Sequence, residues 1–251
     1  MSTTAFGADG ARDFFQALHR AFDATLARQD FAPEAIDAVL SQAFDSFHGN
    51  VAIQCEDEPA LACARGCAAC CTLRVSASAP EVLLVARFLH AIAPPLRARG
   101  IDLLGQLREV DARTRGCDEA RRLALRQRCA FVAQGVCVIY AVRPLACRGH
   151  ASHDARACAD AADGLAAQVP HSEGHRMVRS LVQNALQSSL RDAGRTWGLY
   201  EFNHALQLAL ADDGAEAAWL RGEDPLAAAA VHDIPAAEMA ATFDALRPAT
   251  A

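Results

Sequence analysis

Cysteine is the residue type in this chain whose number and spacing promise chemistry. Four of its ten cysteines fall in the run Cys63-Ala-Arg-Gly-Cys67-Ala-Ala-Cys70-Cys71. On a continuous helix, positions 63, 67 and 71 share one stripe, and 67 and 70 share a face. If Gly66 breaks the helix, a turn lets Cys67 and Cys70 grip one ion as a C-x-x-C pair. Either geometry converges several sulfurs. A second run, Cys129-Ala-Phe-Val-Ala-Gln-Gly-Val-Cys137-Val-Ile-Tyr140-Ala-Val-Arg143-Pro144-Leu-Ala-Cys147-Arg148, spreads its cysteines through turn-forming residues that can close around the first. Thiolates suit Zn²⁺ or an iron–sulfur cluster and not the hard cations Ca²⁺ or Mg²⁺. The candidate ligands are Cys63, Cys67, Cys70, Cys71, Cys129, Cys137, Cys147 and Cys158. One tetrahedral ion uses four ligands. The remainder allow a second site or leave thiols for redox work.

Around this set stand residues with weaker claims. His150 and His153 lie between Cys147 and Cys158, at a spacing that permits coordination. Cys55 and Cys117 are isolated in sequence and read as buried, inert thiols. His171 and His175 are four apart, but Gly174 weakens the helix between them, so a solvent-exposed helix start is expected there. Arg143 and Arg148 bracket Cys147. Their guanidinium groups either donate to the sulfurs and neutralise the site or pair with acidic flanks. Tyr140 is expected as a packed wall of the site.

Composition narrows the setting. The chain has 251 residues, 52% of them apolar and 22% charged, as in a folded globular protein. All 24 basic residues are arginine, which reads as coding bias. Residues 1–62 hold 3 Arg against 10 acids and residues 196–251 hold 2 against 9, leaving 19 against 11 in the middle. A basic middle could bind nucleic acid, but no aromatic interleaving or recognised motif supports that. Bound thiolates add negative charge there that arginines offset. The first ten residues lack a basic stretch and an apolar stretch of the export type, and no apolar run of spanning length stands out. A cytoplasmic protein without nucleic-acid or membrane partners is therefore expected. In that compartment clustered cysteines bind metal or do redox chemistry.

The elements that must position the cysteines are helical. Phe14, Phe15, Leu18, Phe22 and Leu26 predict a helix over 11–29. Ile36, Val39, Leu40, Phe44 and Phe47 predict another from Pro33 to near Gly49. Ser78-Ala-Pro-Glu81 has the form of a capping box, opening a helix that should end at Pro94-Pro95. Residues 101–128 are helical with a break at Gly116, and further helices are expected near 172–192, 199–211 and 235–246. The segment 129–158 reads as mostly loop. No strand series appears. The expectation is an all-α fold: one irregular helical domain over 1–251, with a cysteine-rich metal centre over about 55–160 and acidic helical flanks at 1–54 and 161–251.

The string C-x3-C-x2-C-C, followed some sixty residues later by C-x7-C-x2-Y-x2-R-P-x2-C-R, resembles the YkgJ-like CxxCxxCC cysteine-cluster family. That family is described as zinc- or iron-chelating. The resemblance covers roughly 63–150. It departs from the family at the first spacing, C-x3-C where C-x2-C is common, and at Ala69, where glycine is common. A related cluster in flagellin lysine methylases is associated with an iron–sulfur cluster, which implies that iron can serve here without transferring the methylase activity. Cys63-x3-Cys67-x2-Cys70 also matches the radical S-adenosylmethionine signature, but no parallel-strand pattern surrounds it, and Ala69 replaces its usual aromatic. The resemblance implies a metal-binding protein holding zinc or an iron–sulfur cluster, with a slight lean to iron. The alternative is an iron–sulfur-dependent redox or group-transfer enzyme, although no nucleophile–base pair or phosphate loop is visible. The acidic flanks would suit a basic protein partner.

Overall fold

The computed structural model describes residues 8–30, 32–64, 66–165 and 168–247. The first seven residues, on which the export reading rests, lie outside these, as does Arg65 of the first cysteine run.

Two long helices open the chain, α1 (Ala8–Gln29) and α2 (Ala35–Gln54). Phe15, Leu18, Phe22 and Leu26 line the buried stripe of α1, as their spacing predicts. Helix α2 runs through Gly49 and so outlasts its expected end. A cysteine-bearing 3-10 turn, Ala69–Thr72, leads to strand β1 (Ser76–Ser78) and directly into α3 (Ala79–Arg97). Glu81 accepts from the backbone N–H and the hydroxyl of Ser78, each at 2.8 Å, so the capping box is present. Helix α3 continues through Pro94 and Pro95 instead of stopping there. Both prolines are exposed in the last turn, and the carbonyls they leave unbonded belong to exposed His90 and Ala91.

Helices α4 (Leu103–Thr114) and α5 (Glu119–Leu125) follow, separated at Gly116. The segment expected as loop contains a hairpin of β2 (Val132–Ala133) and β3 (Val136–Cys137). Gln134 and Gly135 at its tip have φ of 50° and 79°, the signs of a type I′ turn. Short helices α6 (Leu145–Arg148) and α7 (Ala155–Ala162) complete it. Helix α8 (Glu173–Asp192) is the long central element, packing on α1, α2, α6 and α11. Strand β4 (Leu199–Glu201) runs directly into α9 (Phe202–Ala211), followed by α10 (Ala215–Leu220) and α11 (Ala236–Leu246). Strands β1 and β4 pair antiparallel, with Ser76 opposite Glu201. Each ends in a helix cap: Glu201 accepts from His204 N–H at 2.8 Å.

The fold is mainly helical, with two small antiparallel sheets where the sequence suggested none. Two- and three-residue strands are too short to leave an alternating pattern. One connected apolar core runs from Phe15 of α1 to Phe243 of α11, through α2, α3, α4, α8 and α9. The helices fold around this core. The cysteines lie at its edge, where only Cys129 and Cys137 pack against it. By length and composition α3 is apolar enough to cross a membrane, which the sequence reading passed over. It packs on α2, α4 and α9, with 44% of its most apolar stretch buried.

Candidate metal centre

Gly66 breaks the backbone with a φ of 90°, so the first cysteine run turns instead of forming one helical stripe. An added Cβ on Gly66 would lie 3.8 Å from the Gly135 carbonyl oxygen, which places the turn beside the tip of the β2–β3 hairpin. The two cysteine runs meet there. Cys129 N–H donates to the Cys71 carbonyl at 2.7 Å, and α7 packs against the 3-10 turn carrying Cys70 and Cys71.

The thiols fall into two neighbouring groups. Cys129 and Cys147 lie within electrostatic reach of each other and of Cys70 and Cys137, with Cys71 hydrogen-bonded to Cys70. Cys63, Cys67 and Cys158 form an outer group that also reaches Cys70. Cys63 and Cys67 are exposed; the other six are partly buried. All ten cysteines are free thiols. Cys63 is tucked against the backbone of residue 152, with Ser152 N–H donating to its sulfur at 3.4 Å.

Crowding and burial set the charge state of the inner group. Hydrogen bonding to Cys71 and then burial push the Cys70 thiol up. Burial, reinforced by Cys137 and Cys70, pushes Cys129 up to about 11. Burial also raises Cys147, with Cys129, Cys70 and Cys137 adding to it and Arg143 opposing. Several thiols this close resist becoming thiolates together unless a cation joins them. The donor set therefore fits a soft metal ion or cluster, whose charge would replace the protons.

The flanking residues divide in a way the sequence left open. Arg143 lies within electrostatic reach of Cys70, Cys137 and Cys147, and its buried Nε has no hydrogen-bond partner. Tyr140 is 58% exposed and is not a packed wall. Its ring lies 3.8 Å from the Arg143 guanidinium and holds it by cation–π contact. Among the described residues, Arg148 makes no hydrogen bond to a sulfur and no ion pair with an acid. It donates to the carbonyls of Arg143 at 2.9 Å and Ala141 at 2.6 Å, and stacks 3.8 Å over Phe44. It braces the chain leading to Cys147, and burial followed by Arg143 lowers its pKa to about 10. Glu81 supplies a second brace. It is 2% exposed, and its other oxygen accepts from Leu145 N–H at 2.7 Å, which fixes the start of α6 and so Cys147.

The residues set aside as bystanders part company. Cys117 is buried against the Arg113 carbonyl, as an inert thiol would be. Cys55 is not isolated: its sulfur lies 3.4 Å from His175 Nδ1 and 3.6 Å from Ser172 Oγ. The stretch 171–175 is correspondingly not a solvent-exposed helix start, since Ser172 and Gly174 are buried and His175 is only 9% exposed. His150 packs edge-on to His171, with ring centroids 4.7 Å apart. A cleft elsewhere is lined by Thr196, Trp197, Tyr200, His232, Ile234 and Met239, among others, and no cysteine contributes to it.

A thiol-rich, metal-chelating segment is the class these features define. Residues 62–166, about two-fifths of the chain, match the model of the CxxCxxCC family, described as "Putative zinc- or iron-chelating domain". That segment contains all eight of the cysteines singled out by spacing. No curated protein and no solved structure matches the chain.

Proposed function

We propose that the chain is a metal-binding protein whose inner thiols, Cys70, Cys129, Cys137 and Cys147, hold an iron–sulfur cluster, with Arg143 balancing its charge. The observation that carries this reading is the gathering of these four thiols from three separate stretches of chain, with Arg143 in electrostatic reach of Cys70, Cys137 and Cys147. The family match supports metal binding and leaves zinc and iron equal. The lean to iron rests on the resemblance to the related cysteine cluster of flagellin lysine methylases. Cys63, Cys67 and Cys158 form the rim of the site, on the side open to solvent.

Anaerobic purification followed by a visible spectrum and assays of iron, zinc and acid-labile sulfide tests this. A brown protein with broad absorption near about 400 nm, stoichiometric iron and sulfide is expected. A colourless protein with bound zinc overturns the cluster while keeping chelation, and metal at trace level overturns both.

A further inference from the structure

Outside the thiol groups, three donors of different chemistry meet at one point. Cys55 Sγ, a carboxylate oxygen of Glu58 and a ring nitrogen of His175 all lie within 4.8 Å of one another. Cys55 and Glu58 sit just past the end of α2, and His175 lies in the first turn of α8. A fourth donor adjoins them: His153 Nε2 is 3.4 Å from Glu58 Oε2. We propose that Cys55, Glu58, His175 and His153 form a second metal site, for a single zinc-class divalent ion, separate from the thiol cluster.

The geometry suits such an ion. Bonds of about 2.0–2.3 Å to nitrogen, oxygen and sulfur in a tetrahedron put neighbouring donors about 3.4–3.6 Å apart. Cys55 Sγ to His175 Nδ1 and Glu58 Oε2 to His153 Nε2 are both 3.4 Å. One thiolate, one carboxylate and two imidazoles make a borderline donor set that favours zinc over the harder cations. The surroundings hold these groups in place. Glu58 Oε1 accepts from Gly174 N–H at 2.7 Å, orienting the carboxylate. The buried Ser172 hydroxyl lies 2.7 Å from His175 Nδ1, bonds Glu58 Oε2 and lies 3.6 Å from Cys55 Sγ, so it marks the point the donors share, and an ion bound there takes its place at Nδ1. Glycine at 174 lets α8 approach the site closely: an added Cβ would lie 2.5 Å from Cys55 Sγ and 3.1 Å from Glu58 Oε1, and those side chains would have to shift. The other mixed cluster, His19, Asp23 and Asp192, carries no such reading: Arg247 and Arg191 already pair with Asp192.

This site does not depend on the cluster reading: it uses none of the eight clustered cysteines, and of its four donors His153 alone lies within residues 62–166. The test uses the full reduced chain, titrated with Zn²⁺ alone in competition with a chromophoric chelator. The wild type should bind one equivalent more than Cys55→Ser. Glu58→Gln, which keeps an acceptor for Gly174 N–H, should weaken that equivalent by about ten-fold or more. Cys147→Ala should retain it. Equal stoichiometry and affinity in wild type and Glu58→Gln overturns the site, even if Cys55→Ser fails to fold. Loss of metal from Cys55→Ser with none from Cys147→Ala leaves this site standing and removes the cluster instead.

Discussion

At the scale of single residues, cysteines that look alike in sequence are separated by their neighbours. Cys147 sits among three other thiols and Cys117 faces one carbonyl. Cys147→Ala should therefore remove most of the bound metal, while Cys117→Ala leaves metal content unchanged and costs about 1 kcal/mol of stability. Equal metal in the two purified variants would contradict the assignment. His150 gives a pH signature. Burial, with His171, Arg176 and Arg179 around it, lowers its pKa to about 4. Between pH about 4 and 6.5 the unfolded chain then binds the proton better than the folded one, so stability falls as pH drops through that window. The loss should reach about 1–3 kcal/mol, and His150→Gln should flatten it in urea titrations at stepped pH. The segment that matches the chelating family was legible from the spacing of its cysteines. Cys55 was not, because its partners Ser172 and His175 lie 117 and 120 positions away and nothing local ties the two stretches together.

At the scale of elements, one carboxylate joins the helical frame to the cysteine segment. Glu81 caps α3 through Ser78 and holds α6 through Leu145 N–H. Glu81→Ala should cost about 2–4 kcal/mol, by leaving buried donors unpaired, and should also lower metal content by loosening Cys147. A urea midpoint and metal content close to wild type would show that the two elements are held by other means. At the hairpin tip, Gly135→Ala forces a Cβ into left-handed backbone and should cost about 1 kcal/mol. Half of the Glu81 tie was readable, since Ser78 and Glu81 are three apart and fit a capping box. The half that reaches Leu145 spans 64 residues and leaves no local trace. The end of α3 misled for a related reason: the lost bonds and ring clash of proline are best tolerated in a last turn beside solvent, and sequence alone does not say that His90 and Ala91 are exposed.

At the scale of the whole molecule, the long helices and the cysteine segment rest on different forces. Helices α1, α2, α3, α8 and α9 share the apolar core, whereas residues 127–150 hold few core residues and depend on turns, Glu81 and the thiols. Removing metal with a chelator should therefore raise amide exchange across 127–150 while α2 and α8 keep most of their protection. Uniform loss of protection would mean that the metal holds up the entire fold. The helical character was legible because amphipathic stripes such as Phe15, Leu18, Phe22 and Leu26 are long. The position of the cysteines at the edge of the core was not, because clustering in sequence carries no depth. The spread of exposure across the thiols, from open Cys63 and Cys67 to buried Cys117, also makes the chain its own ruler. A timed pulse of an alkylating reagent on the metal-free protein should mark the cysteines in order from the rim inward, so that a mass spectrum taken at intervals reads out their depth one at a time.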